Sequence, residues 1–240
     1  MNFDSTVDVV IAGAGGAGLQ AAIEAAQAGA SAIVFEKQAR IWESSTAIAV
    51  GRVSFPCTDL QQKNGVADSK ELMFRDIMET GRHKNDPVLV QTYVDHALDT
   101  YRQLCALRIV WSPTVTAMAG MTVPRGHLTD MIDLVRTLKR AVEERGVPVV
   151  FQTPVTGLLT DDSGSVVGAT VRERSGKTSR IRARKGVVLA SGGFARDPER
   201  LRSIEPRFTQ VVATSGVGHT GDGLPMAELL GADTRDIEYV

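Results

Sequence analysis

The stretch Val7–Val34, VDVVIAGAGGAGLQAAIEAAQAGASAIV, continuing into Phe35-Glu36-Lys37, decides the fold. Val7–Ala12 is a short apolar run rich in Val and Ile, the composition of a buried strand. Gly13, Gly15 and Gly18 then supply the pattern G-x-G-x-x-G. Ala17–Ala28 reads as a helix with small residues on the face that meets a sheet, and Gly29 ends it. Ser31–Phe35 is a second strand, with Glu36 at its end, about 20 residues beyond the glycines. Strand, Gly-rich turn, helix, strand and terminal carboxylate together form the setting that a dinucleotide fingerprint requires.

Each position in the turn has a physical task. Gly13 permits the tight turn. Gly15 has no Cβ, so a pyrophosphate can approach the backbone. Gly18 lets the helix pack closely on the strands. The helix N-terminus offers unpaired N–H groups and the positive end of the dipole to phosphate. Glu36 can accept hydrogen bonds from ribose hydroxyls, and its charge repels a 2′-phosphate.

The chain has 240 residues, enough for one large domain or two small ones. With 43% hydrophobic and 23% charged residues, it has the composition of a globular protein. A net charge of −1 gives no attraction to nucleic acid or an anionic membrane. No apolar run approaches the roughly 20 residues of a membrane span, and MNFDSTVD lacks the basic start of a secretory signal. The two cysteines, Cys57 and Cys105, have no metal or framework spacing. They read as free thiols in a reducing, cytoplasmic compartment.

Further along, Gln38–Gly65 reads as irregular. Helices are expected over Ser69–Glu79, with Ser69 as N-cap, and from Asp86-Pro87 to about Leu104. Ile109–Trp111 reads as a short extended piece. Thr129–Arg145 is strongly helical, with Met131, Leu134, Val135, Leu138 and Val142 on one face and Gly146 as the stop. Val147–Phe151 is a further buried strand. The rhythm then changes: Val155–Thr160, Val166–Arg174 and Ser179–Ala183 read as three strands joined by turn-forming DDSG and SGK, an antiparallel meander. Val187–Ala190 is a last buried strand running into Ser191-Gly192-Gly193. Pro198–Ile204 and Leu224–Leu230 read as short helices. A plain NAD domain continues β–α–β after its second strand. This chain instead spends about a hundred residues on loop and helices and then inserts a meander, which favours a flavin-binding relative over an NAD-linked dehydrogenase.

At this point the residues resemble a known family. GAGGAG with Glu36-Lys37, SSTAIAVG at Ser44–Gly51, Arg125 before the Thr129–Arg145 helix, ASGGF at Ala190–Phe194 and TGDGLPMAELLGA at Thr220–Ala232 are similar, in this order, to the N-terminal FAD-binding portion of fumarate reductase and succinate dehydrogenase flavoproteins. Soluble fumarate reductases, urocanate reductases and 3-ketosteroid dehydrogenases belong to the same family. The resemblance implies an α/β, Rossmann-like FAD-binding domain over residues 1–233. It implies a parallel sheet with the three-stranded antiparallel meander inserted, and residues 234–240 as the start of a cap domain.

It also implies a set of FAD-binding positions: Gly13, Gly15, Gly16, Ala17, Gly18, Glu36, Lys37, Ser45, Thr46, Gly51, Val155, Ser191, Gly192 and Asp222. Covalent members carry histidine where this chain has Ser45, so the resemblance implies non-covalent FAD. Arg52 replaces a second glycine common after the position of Gly51. Val155 matches a position whose backbone meets the adenine. Asp222 has two readings: part of the flavin site, or only the cap of the helix after it. The family's catalytic His, Thr-Glu pair and arginines lie beyond Val240, so no catalytic residue is assigned within the chain. None of His83, His96, His127 and His219 has metal or triad spacing. The resemblance implies an oxidoreductase that reduces or forms a C=C bond beside a carboxylate or carbonyl, with a small substrate and an electron-transfer partner. The chain by itself is expected to be silent in catalysis. The other readings are an NAD-linked dehydrogenase and a non-catalytic nucleotide-binding protein.

Overall fold

A computed structural model describes residues 2–238. In chain order the elements are β1 (Ser5–Ala12), α1 (Gly16–Gln27), β2 (Ala32–Phe35), β3 (Arg52–Ser54), α2 (Asp59–Lys63), α3 (Lys70–Thr80), α4 (Pro87–Ala106), β4 (Val115–Thr116), β5 (Gly126–Leu128), α5 (Met131–Glu144), β6 (Val149–Val150), β7 (Val155–Thr160), β8 (Val166–Arg172), β9 (Thr178–Leu189), α6 (Pro198–Ile204) and α7 (Gly223–Glu228). They fall into two units. One comprises residues 1–49 and 135–240, the other residues 50–134. Near the end of the sequence Ile237 and Glu238 lie in a turn, and Tyr239 and Val240 lie outside the described residues.

The first unit is built on a six-stranded sheet in the order β6-β2-β1-β9-β8-β7. β1 pairs parallel with β2 on one side and with β9 on the other. Its last three residues, Val10, Ile11 and Ala12, are fully or nearly fully buried, as the apolar run requires. α1 buries Gly18, Leu19, Ala22 and Ile23, the small-residue face. The meander is present as β7-β8-β9, but its third strand is not a separate piece. β9 runs unbroken from Thr178 to Leu189, antiparallel to β8 at its start and parallel to β1 from Ile181 onward. The two strands expected at Ser179–Ala183 and Val187–Ala190 are thus one. The polar Arg184-Lys185-Gly186 that reads as a break is a bulge: Val7 faces Ala183, but Val9 faces Gly186. Gly186 takes φ +157°, which keeps the strand continuous through the irregularity. Val147–Phe151 contributes only Val149–Val150 to the sheet, at its edge.

The second unit holds α2, α3, α4 and a three-stranded antiparallel sheet in the order β3-β5-β4. This sheet and α2 lie largely where the sequence reads as irregular. The strands are only two or three residues long, too short for an alternating pattern to show. Ile109–Trp111, read as a short extended piece, joins no ladder; the pairing falls at Val115–Thr116. α2 does carry a start signal, a capping box in which Thr58 and Gln61 bond each other's backbone N–H. α3 and α4 start where expected, capped by the side chains of Ser69 and Asp86. Phe55, Tyr101, Trp111 and His127 pack as a ring cluster with centroids 5.2–6.0 Å apart. His127 is fully buried there. Its Nδ1 lies 2.7 Å from the Arg125 carbonyl, so Nδ1 carries the proton and Nε2 accepts from the Thr58 hydroxyl at 2.8 Å. His127 is a satisfied core residue.

Beneath that cluster, Arg125 is 1% exposed and clamps two buried carboxylates. Nε and Nη2 fork onto Asp68, both at 2.8 Å, and Nη1 reaches Asp76 at 2.5 Å. Asp68 also accepts from Gln61, and Asp76 accepts from the Thr122 N–H and hydroxyl. Burial alone would raise the Asp76 carboxyl; the Thr122 bonds and Arg125 outweigh it and hold it below the usual range.

Candidate functional site

Parallel pairing puts the carboxyl ends of β1, β2 and β9 side by side, the place where open α/β sheets bind ligands. A cavity of about 420 Å³ opens there, entirely within the first unit and inside the size range of small-molecule sites, roughly 300–1,000 Å³. Ala12 and Gly13, Phe35 and Glu36, and Leu189–Ser191 line it where the three strands end.

The glycines divide by task. A Cβ on Gly13, which has φ +106°, would strike the Ala190 carbonyl, and one on Gly18 would strike the carbonyl of Gly13. These two are packing glycines, and Gly18 does not reach the cavity. Gly15 is different. It is the α1 N-cap, with ordinary extended angles of φ −72° and ψ −178°, and the nearest atom to an added Cβ is Thr46 Oγ1 at 3.7 Å. A side chain there would enter the cavity. At the start of α1, Gly16 N–H donates to Thr46 Oγ1 at 3.0 Å. The Gly15 and Ala17 N–H groups donate to no protein group among the described residues. The α1 terminus therefore presents open donors, a positive dipole end and the Thr46 hydroxyl proton, a set suited to an anion such as a diphosphate.

Glu36 sits opposite, 9% exposed. Oε2 accepts from Ala14 N–H at 2.8 Å and Oε1 from Gln38 N–H at 2.7 Å. The carboxylate thereby anchors the Gly-rich loop to the end of β2. Each oxygen keeps a second lone pair for a ligand hydroxyl.

The far wall is the loop Gly216–Asp222, held down at three points. Gly216 lies so close to Glu43–Ser45 that a Cβ would overlap their backbone, and its N–H donates to Ser45 Oγ at 3.1 Å. Lys37 Nζ reaches Thr220 Oγ1 and Asp222 Oδ2, both at 2.6 Å. Asp222 occupies the cap position of α7 but makes no side-chain cap bond, so the capping-only reading fails. Burial alone would raise its carboxyl, and the bonds from Lys37 and Thr220 outweigh that and hold it low. Third, His219 Nε2 accepts from Gly193 N–H at 2.7 Å, and the Ala195 N–H points at Nδ1 from 3.2 Å. Gly192 and Gly193 leave room for this ring: a Cβ on either would meet it at 2.9–3.0 Å.

Burial, then Lys37, then Arg196 push the His219 pKa below its ordinary 6.5. The unfolded chain thus binds this proton more readily than the folded one. The His219 contribution to stability is full above pH 6.5 and is lost as pH falls below it. The loss of thermal stability between pH 7 and pH 5 should accordingly be smaller in His219→Gln than in the parent chain, read by melting curves at each pH.

Of the residues expected at a cofactor site, all but Gly18 and Gly51 line this one cavity. Gly51 belongs to the second unit, with φ +80° and its carbonyl accepting from Thr129 N–H. Val155 contributes to the wall from the start of β7 and is 8% exposed in the core. Sequence reasoning passed over Gly216, Gly218 and His219 as site residues. The signal was the glycine spacing in SGVGHTGDG, which marks backbone that must come close to something. Among the described residues, no group of His, Cys, Asp and Glu side chains is arranged to hold a metal ion. None of the helices there is long and apolar enough to cross a membrane.

Comparison with known proteins meets the geometry. The family model described as an FAD-binding domain matches residues 8–240. A cytochrome-type fumarate reductase of Shewanella frigidimarina is 34% identical over 98% of this chain, and the urocanate reductase of Eggerthella lenta is 33% identical over 98%. The chain spans 42% and 39% of the lengths of these two relatives. The open conformation of a flavocytochrome c3 fumarate reductase superposes over 100% of this chain and 43% of its own, with a TM-score of 0.95 and 30% identity. The chain therefore belongs to the FAD-binding domain family, which it shares with fumarate reductase-type flavoenzymes.

Proposed function

We propose that the cavity holds FAD non-covalently, and that the chain serves as the FAD-binding part of an oxidoreductase that reduces or forms a C=C bond beside a carboxylate or carbonyl. One observation carries this reading: the open N–H groups around Gly15 and the Glu36 carboxylate face one cavity at the ends of three parallel strands. In this reading the Gly15 and Ala17 amides and the Thr46 hydroxyl bind the diphosphate. Glu36 accepts from the adenosine ribose, and the backbone at Val155 meets the adenine. Ser191, Gly192 and the loop held by Lys37 and Asp222 close the remaining sides. Bound FAD supplies hydride-type redox chemistry. Within these 240 positions we assign cofactor binding and orientation, and assign proton transfer to substrate to none of them. We take residues 1–233 as the FAD domain and 234–240 as the lead into a cap domain. A small unsaturated acid or ketone is the substrate class, with a separate electron donor or acceptor. The free thiols Cys57 and Cys105 support a reducing compartment such as the cytoplasm.

Ser45 cannot form the bond that a histidine makes to flavin, and its hydroxyl is already engaged by Gly216. Purified chain equilibrated with FAD should therefore show bound flavin, and acid precipitation should leave all the colour in the supernatant. Flavin retained in the washed pellet contradicts non-covalent binding. Saturable binding of NAD in preference to FAD contradicts the cofactor assignment.

A further inference from the structure

One wall of the cofactor cavity is made of two segments that lie side by side, residues 191–196 after β9 and the loop 216–222. Ser191 and Gly192 line the cavity from the first, and Gly216, Gly218, His219 and Asp222 from the second. Backbone bonds zip the two together: Gly221 N–H donates to the Gly193 carbonyl at 2.8 Å, and Arg196 N–H to the His219 carbonyl at 2.9 Å. The half-buried His219 ring fastens the same zip from the side, in the niche that Gly192 and Gly193 leave open.

Both ring nitrogens meet backbone donors, Nε2 the Gly193 N–H at 2.7 Å and Nδ1 the Ala195 N–H at 3.2 Å. A neutral imidazole accepts at only one nitrogen. The shorter contact is the bond, so the single proton sits on Nδ1, at the longer one. A second proton has only Nε2 to occupy, where it would oppose the Gly193 N–H instead of accepting from it. The charged side chains that act on the ring are Lys37, from the end of β2, and Arg196, from the segment beneath it, and both repel an added positive charge. The carboxylates lining the same cavity are engaged elsewhere: Glu36 by Ala14 and Gln38 N–H, Glu43 by Arg40 N–H, Asp222 by Lys37 and Thr220. In its niche the ring is therefore held neutral, and a ring that has left the niche regains its ordinary affinity for a proton.

We propose that His219 is a positioning residue of the cofactor site that works as a proton-operated clasp: the neutral ring keeps the two segments together as a wall of the FAD cavity, and protonation parts them and speeds FAD release. The proposal rests on the reading of the cavity as an FAD site. A freed histidine titrates near its ordinary value, so protonation at pH 5 favours the open wall by up to about thirtyfold. Release through the open wall rises with its population.

The test is the rate at which flavin fluorescence recovers when the FAD-loaded chain is diluted at pH 7 and at pH 5. The parent chain, His219→Gln and His219→Ala are compared, with circular dichroism showing each folded at both pH values. The parent should release FAD at least about tenfold faster at pH 5. His219→Gln offers Gly193 an acceptor that does not titrate, so its two rates should agree within about twofold. His219→Ala offers no acceptor and should release FAD fast at both. In the parent without FAD, nitrogen NMR of the ring should show Nε2 unprotonated at pH 7, with its protonation on acidification moving the Gly193 amide signal at the same midpoint. No FAD binding at pH 7 overturns the cofactor reading and this proposal with it. FAD that binds but leaves the parent equally fast at both pH values, or an equal pH response in His219→Gln, overturns the clasp alone. Slower release at pH 5 also overturns it, because the imidazolium would then be attracting the diphosphate rather than opening the wall.

Discussion

Replacing Arg125 by methionine is expected to destabilise the second unit by about 3–5 kcal/mol, the typical cost of removing one partner from a buried ion pair. The side chain is 1% exposed, and its two partners, Asp68 and Asp76, are 0% and 4% exposed. Without the guanidinium, two carboxylates stay in the interior with only neutral donors: Gln61 and Ser69 N–H for Asp68, Thr122 for Asp76. Lysine should not restore the loss, because one ammonium cannot fork onto Asp68 and reach Asp76 as well. The pH dependence separates this account from a simple packing defect. In the variant Asp76 loses the Arg125 interaction that lowers its pKa while the burial that raises it remains, so the penalty should shrink as pH falls from 7 to 5. In the parent chain Asp76 is held below 3.8, so its contribution persists down to about that pH and is lost only below it. Denaturant melts of both chains at the two pH values test this. A penalty that is small, or constant with pH, shows that the cluster does not hold the unit together.

The second large effect is on the cofactor. Gly15→Val should lower FAD affinity by at least about a hundredfold, roughly 3 kcal/mol, with little change in melting temperature. The backbone at Gly15 is ordinary extended chain, which valine adopts freely, and the added atoms meet only the edge of Thr46 before the cavity. Gly18→Ala is the control with the opposite outcome. Its methyl would overlap the Gly13 carbonyl, so the fold itself should fail while nothing new enters the cavity. Fluorescence titration with FAD and melting curves of both variants decide the matter. Unchanged FAD affinity in Gly15→Val would place the diphosphate somewhere else.

These glycines mark how far the sequence could be read. β1, α1 and β2 were legible because apolar periodicity, glycine spacing and the terminal Glu36 all report on contacts within thirty residues. Half of the residues that line the cavity at the strand ends were named through the family resemblance, which stands in for contacts that spacing cannot show. Lys37 and Asp222 are 185 positions apart, and nothing local to either says that they meet. Likewise His219 looks like an isolated histidine until the glycines at 192 and 193 are seen to make room for its ring. The continuity of β9 was hidden for a different reason. A bulge with two basic residues and a glycine has the local chemistry of a turn, and only pairing with β1 on the far side keeps it extended.

That pairing has a consequence for how the molecule comes into being. Ser5 is matched to Ile181, 176 positions on, and the cavity wall needs Leu189–Ser191 and then the loop to Asp222. At synthesis rates of 5–20 residues per second, β1 waits about 10–35 s on the ribosome for its second neighbour. During that time it is flanked by β2 alone, with an apolar strand edge unpaired, the condition under which nascent sheets join the wrong partner. The Gly-rich loop is among the first segments made, yet the cavity beside it has no finished wall until the loop to Asp222 has emerged.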